Sequence, residues 1–195
     1  MRVLVVHCHP DPNSLVAAAR DRAVAGLAAA DHDVRHRDLY AERFEPVLSA
    51  AERGAHTEPG VSPELQPYAD DLSWAEAIVL VYPTWWSGQP AMLKGWIDRV
   101  WACGVAWDLE SGAHRPTPRL RNVRRLAVVT THGSSKWVNA LEGEGGKRTV
   151  TRALRAMCSW RTRTTWCALY GVDTCSASDR DAFLDRVEET MRELR

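Results

Sequence analysis

The feature that most constrains this chain is an alternation. Short apolar runs are separated by stretches whose apolar residues recur at helical spacing. RVLVVHC (2–8), AIVLVYP (77–83) and RRLAVVTT (124–131) have the continuous Val/Leu/Ile character of strands buried on both faces. DVRHRDL (33–39) alternates and reads as a further strand, and TTWCALYGV (164–172) as the last. Ser14 stands where an N-cap belongs, ahead of the Ala-rich LVAAARDRAVAGLAAA. Later helical patterns run from Pro63 to Trp74, then over 90–102, about 146–158 and 178–194.

Strand–helix–strand order demands parallel strands joined by right-handed crossovers, which place helices on both faces of the sheet. The expected fold is α/β, a flavodoxin-like three-layer sandwich. It has a five-stranded parallel sheet of order 2-1-3-4-5 within a single domain spanning 1–195. In such sheets the ligand crevice lies beyond the carboxyl ends of the strands, where their order reverses. That rule selects three loops: 7–14, 83–90 and 131–138.

Composition narrows the classes. The 195 residues carry 25 basic and 25 acidic side chains, so the chain as a whole has no polyanion-binding charge and no nucleic-acid partner is expected. Locally, eleven Lys/Arg face only Glu142 and Glu144 between Arg119 and Arg163. That run reads as a solvated basic face, with an anionic cofactor or nucleotide phosphate as the functional alternative. The five cysteines form no CxxC pair, and no stretch approaches membrane-spanning length. Reduced thiols and a cytoplasmic location without a signal peptide are expected, with Cys8, Cys158 and Cys167 as apolar fillers.

The first loop, HCHPDPNSL, lacks G-x-G-x-x-G and the Walker pattern. It places His9, Asn13 and Ser14 at the amino end of a long helix, where free N–H groups and the helix dipole favour a phosphate. The same residues would cap that helix in any case. His7, Cys8 and His9 do not make a metal site, because strand alternation sends His7 and His9 one way and Cys8 the other.

The second loop raises a sharper question. YPTWWSGQPAMLKGWIDRVW (82–101) holds four tryptophans in twenty positions. Met92, Leu93, Trp96, Ile97, Val100 and Trp101 recur at helical spacing after Pro90, so Trp96 and Trp101 belong to a core. Lys94, Asp98 and Arg99 take the remaining face. Trp85 and Trp86 lie in the loop itself, where an extended backbone would send the two indoles to opposite sides. An aromatic wall with backbone groups and the Thr84 hydroxyl fits a planar heteroaromatic ligand, although packing could account for either indole alone.

This segment resembles the flavin loop and following helix of the NAD(P)H:quinone oxidoreductase family, which also includes the modulator-of-drug-activity proteins. The opening VLVVHCHPDPNSLVAA, the DLYAERFEPVLS after the second strand and the TTHGSS after the fourth match in order, over residues 2 to about 137. The resemblance implies a flavin-dependent NAD(P)H oxidoreductase. Such an enzyme reduces quinones or related small aromatic acceptors by two-electron, ping-pong hydride transfer, usually as a homodimer. FMN is expected over FAD, since nothing in the sequence marks an adenosine pocket.

Carried over residue by residue, His9, Ser14 and Leu15 would hold the flavin phosphate region. Pro83, Thr84, Trp85 and Trp86 would line the ring, and Thr130, Thr131, His132 and Gly133 would bind its polar edge. His132 departs from the family's Gly-Gly at that turn. Trp137 falls near a family tyrosine that faces substrate, and no histidine follows His132, so a charge-transfer role falls to His132 or to nothing. Lys136, Lys147 or Arg148 could favour NADPH. An electron carrier without its own substrate would prefer an acidic docking face, which the 119–163 run argues against. A regulatory subunit bound to a membrane transporter, or a reductase for one specific aromatic compound, remains an alternative.

Overall fold

A computed structural model describes residues 1–110 and 112–195. In chain order the elements are β1 (Arg2–His7), α1 (Leu15–Ala29), β2 (Asp33–Asp38), α2 (Ala50–Gly54), α3 (Gln66–Trp74), β3 (Ala77–Thr84) and α4 (Ala91–Val100). There follow β4 (Trp107–Asp108), β5 (Thr117–Pro118), β6 (Arg125–His132), α5 (Lys136–Leu141), α6 (Gly145–Arg148), a π-helical stretch (Thr149–Leu154), β7 (Arg163–Tyr170) and α7 (Ala177–Arg192). The main sheet is parallel with order β2-β1-β3-β6-β7, which is the expected 2-1-3-4-5 once the small β4–β5 hairpin is set aside.

Alternation along the strands builds two apolar layers. Leu4, Val6, Leu80, Tyr82 and Val128 face one way, onto α3, α4 and the π-helical stretch. Val3, Val5, Val79, Val81 and Val129 face the other, beneath α1 and α7. Those two helices cross so closely that a Cβ on Gly26 would lie 2.2 Å from the Glu188 carbonyl oxygen. Trp96 and Trp101 are buried and meet edge to face, 6.4 Å between centroids, as their helical spacing requires. Cys8, Cys158 and Cys167 are buried, and burial pushes the thiols of Cys8 and Cys158 up to about 12.

Four details depart from the sequence reading. Arg99 is not on a solvent face. It is buried and donates to the Glu45 carbonyl and, from Nε at 2.8 Å, to Glu52, which answers the cost of burying its charge. The helix expected over 146–158 runs unbroken over 145–156, but its middle, Thr149–Leu154, is π-helical, and α5 precedes it. Glu144, left-handed at φ 48°, turns the chain between α5 and α6. β6 runs one residue further than expected, so His132 is a strand residue and not a loop residue. Finally, the Trp85–Trp86 loop is not extended. Trp85 and Gly88 exchange backbone hydrogen bonds (3.2 and 3.0 Å) across a two-residue turn, with Trp86 at φ 50° and Ser87 at φ 56°. Positive φ at both central residues is the type I′ pattern, usually filled by Asn-Gly.

Candidate functional site

The carboxyl ends of β1, β3 and β6 open into a cleft of about 980 Å³, at the upper end of the range for small-ligand sites. On one side stands the amino end of α1. Ser14 caps it by accepting from the Ala17 N–H at 3.1 Å. Among the described residues the N–H groups of Leu15 and Val16 have no acceptor, and both residues line the cleft. Free donors at the positive end of a 15-residue helix suit an anion such as a phosphate. His9 lines the same wall, with Nδ1 3.0 Å from the Asp11 N–H.

Pro83, Thr84 and the Trp85–Gly88 turn form the middle of the cleft. The Trp85 indole is 42% exposed and lies 6.1 Å from the His9 ring between centroids, whereas Trp86 is fully exposed at the rim. Left-handed backbone at a bulky L-residue costs about 1–2 kcal/mol. Neighbours hold the turn in that shape. The Gly146 N–H donates to the Ser87 carbonyl at 2.7 Å, the Ser87 hydroxyl donates to Glu142, and Gln89 Nε2 donates to the Gly146 carbonyl at 2.9 Å. A Cβ on Gly146 would sit 3.2 Å from both Gly88 Cα and the Ser87 oxygen, so a side chain there would push the turn outward by a few tenths of an ångström.

Thr131, His132 and Gly133 close the third side. His132 pairs in register with Thr84 on β3 and Tyr170 on β7, so its ring is flanked by both. It stacks on Tyr170 at 4.5 Å and 16°, and its Nδ1 lies 2.7 Å from Asn139 Oδ1. Burial lowers the His132 pKa, with the Asn139 hydrogen bond only partly opposing it, so the ring is neutral at pH 7. The ring leaves the cleft open, because it lies against Tyr170 and Asn139. At Gly133 a Cβ would come within 2.9 Å of Asp173 Oδ2, the end of an exposed side chain that can turn aside.

The structure thus brings His9, Ser14, Leu15, Pro83, Thr84, Trp85, Trp86, Thr131, His132 and Gly133 around one cleft. Three other candidates lie outside its lining. Asn13 is exposed on the loop, with its N–H on Asp11 Oδ1 at 2.8 Å. Thr130 is buried behind Thr84, their hydroxyls 2.9 Å apart. Trp137 sits on α5, 64% exposed. Lys136, Lys147 and Arg148 do not line the cleft either, and Lys147 is tied to Glu144 at 3.0 Å. Asn139, Glu142 and Asp173 do line it and escaped the sequence reading. They follow β6 and β7 in segments without a motif, so nothing in the sequence singled them out.

A family model described as "Flavodoxin-like fold" matches residues 1–194. The chain is 31% identical to the uncharacterized NAD(P)H oxidoreductase YcaK of Escherichia coli (strain K12), over 82% of this chain and 77% of that one. It is 28% identical to NAD(P)H dehydrogenase [quinone] 1 of Rattus norvegicus, over 76% of this chain and 60% of the rat protein. Among solved structures, the NAD(P)H:quinone oxidoreductase of Methanothermobacter marburgensis superposes with a TM-score of 0.83 at 25% identity, covering 100% of this chain and 96% of that one.

Proposed function

The chain belongs to the flavodoxin-like fold family, and from that premise we propose that it is a flavin-dependent NAD(P)H oxidoreductase acting on quinones or related aromatic acceptors. The observation that carries the reading is the composition of the cleft. An unpaired helix amino end, an aromatic turn and the polar ends of two strands surround one open space of about 980 Å³. The relatives named as NAD(P)H oxidoreductases and quinone dehydrogenases support the reaction class.

The donor set fits FMN. Leu15 and Val16 N–H groups with Ser14 and His9 would take the phosphate. Pro83, Thr84 and Trp85 would lie along the ring, and Thr131, His132 and Gly133 along its polar edge. A bound flavin supplies the site that accepts hydride from NAD(P)H and passes it to the acceptor. The chain's own part is to hold that ring flat and to offer hydrogen bonds at its edge. NAD(P)H and the acceptor would use this slot in turn, with Trp86 exposed at its rim. Trp86, Trp137 and Leu141 are exposed apolar side chains, and we include in the proposal a homodimer in which a second copy of this chain covers them.

The test is the spectrum of the purified protein. Bound flavin absorbs near about 450 nm and bleaches when NAD(P)H is added without oxygen, as hydride transfer requires. Mass analysis of the released compound separates FMN from FAD. A colourless protein that takes up neither would overturn the reading.

A further inference from the structure

Asn139 is buried on α5, and its amide orientation is fixed by its neighbours. Its Nδ2 donates to the Ser135 carbonyl at 2.9 Å and reaches the Ser134 carbonyl at 3.4 Å. Both partners are acceptors, so this end must be the NH₂ group. The Oδ1 end then faces His132 Nδ1 at 2.7 Å and must accept from it. A neutral imidazole carries one proton, and here that proton is on Nδ1. Nε2 is left as an acceptor, 3.5 Å from Thr84 Oγ1, the long end of hydrogen bonding. The Thr84 hydroxyl has the Thr130 hydroxyl as its other neighbour, at 2.9 Å.

We propose that Asn139 is a positioning residue that sets the polarity of Thr84 toward the ligand. By keeping the His132 proton on Nδ1, it makes Nε2 the acceptor for the Thr84 hydroxyl hydrogen. Thr130 donates to Thr84 in turn, so Thr84 meets the cleft with an oxygen lone pair. That arrangement favours a ring edge carrying an N–H, such as the imide of a planar heterocycle, over one carrying only acceptors. When Nε2 gains a proton it becomes a donor to Thr84, and the Thr84 hydroxyl hydrogen turns away from the ring nitrogen toward the cleft. The edge preference then reverses.

The inference rests on the cleft being a planar-heterocycle site, but the tautomer stands on geometry within this chain. The ionisable groups around the ring are Tyr170 from β7, Glu142 and Glu144 from the link between α5 and α6, and Lys147 from α6. Glu144 and Lys147 neutralise each other at 3.0 Å. Burial keeps the ring neutral at pH 7, the state in which Thr84 accepts.

The experiment is nitrogen-15 NMR of the histidine rings in the ligand-free chain, with His132→Gln to assign the signal. The wild type should show neutral His132 protonated at Nδ1. Asn139→Asp keeps an oxygen in place and adds a charge, and should raise the His132 titration midpoint by about one unit or more. Added FMN is the second probe. The wild-type dissociation constant should rise about five-fold as pH falls through the His132 midpoint, the size of one net hydrogen bond, and Thr84→Val should lose that component. A wild-type ring protonated at Nε2, an unchanged midpoint in Asn139→Asp, or an identical pH profile in Thr84→Val would each overturn the proposal. Failure of FMN to bind together with an Nδ1-protonated ring would instead sink the flavin reading and leave the tautomer standing.

Discussion

The indole of Trp85 stands 6.1 Å from the imidazole of His9, tilted by 56°, so the loops after β3 and β1 meet across the cleft through these two rings. Trp101, sixteen residues further on, packs on Trp96 within the core. The two tryptophans should therefore fail differently. Trp85→Ala is expected to weaken FMN binding by tenfold or more on an order-of-magnitude scale while changing stability little, since stacking on an aromatic wall is lost without emptying the core. Trp101→Ala should cost about 3–5 kcal/mol of stability with near-normal affinity in the molecules that remain folded. Fluorescence titration and urea denaturation of both variants check this. Equal affinity in the two would remove Trp85 from the site.

Trp86 is fully exposed and left-handed at φ 50°, so the fold bears backbone strain there without gaining burial. Trp86→Gly should raise stability by about 0.5–1 kcal/mol, because glycine reaches this region without a Cβ clash. If the turn serves the ligand, the same change should lower turnover with aromatic acceptors. A variant that is both less stable and equally active would show that the turn holds Trp86 for neither reason.

The sheet order was legible because β1, β3 and β6 are buried on both faces and read as unbroken apolar runs. The Trp85–Trp86 loop was located but not shaped. Nothing in Trp-Ser predicts a turn normally made by Asn-Gly, since its conformation is imposed by Glu142 and Gly146, more than fifty residues away. His132 was legible as a residue and not as an environment. Its partners Asn139 and Tyr170 lie on different elements, and only the strand register brings Tyr170 beneath the ring. The π-helical middle of the helix expected over 146–158 was hidden as well, because helical spacing cannot distinguish an α-helix from a π-helical stretch.

The pH dependence of stability follows from three histidines. His7, His36 and His132 are each held below the ordinary value of 6.5, with burial the largest cause in all three. The unfolded chain then binds more protons than the folded one as pH falls below about 6.5, and protonation favours unfolding. Their contribution is complete above that pH and is lost as pH drops through the depressed values. Asp38 adds a second loss at lower pH. Burial alone would raise its pKa, but the Ala41 N–H and the His7 ring outweigh burial and hold it below the usual carboxylate range. Urea midpoints measured from about pH 8 to about pH 5 should fall on acidification, with a shallower slope in His132→Gln. Midpoints that rise toward pH 5 would contradict the assignment.

The layer beneath the sheet offers a control that leaves the cleft alone. α1 and α7 cross at Gly26, where a Cβ would lie 2.2 Å from the Glu188 carbonyl oxygen and 3.2 Å from the Arg192 nitrogen. Both are backbone atoms of one helix, so relief requires the helices to move apart and not a side chain to rotate. That separation would open the layer formed by Ala23, Leu27, Val187 and Met191. Gly26→Ala is therefore expected to destabilise the fold by about 3 kcal/mol or more, despite the higher helix propensity of alanine, which returns only about 1 kcal/mol. Gly54, where an added Cβ meets nothing within 4 Å, gives the matched comparison. Gly54→Ala should be neutral or slightly stabilising. Thermal melts of the two variants decide it, and a Gly26→Ala protein as stable as Gly54→Ala would mean that the α1–α7 crossing is looser than the backbone positions require.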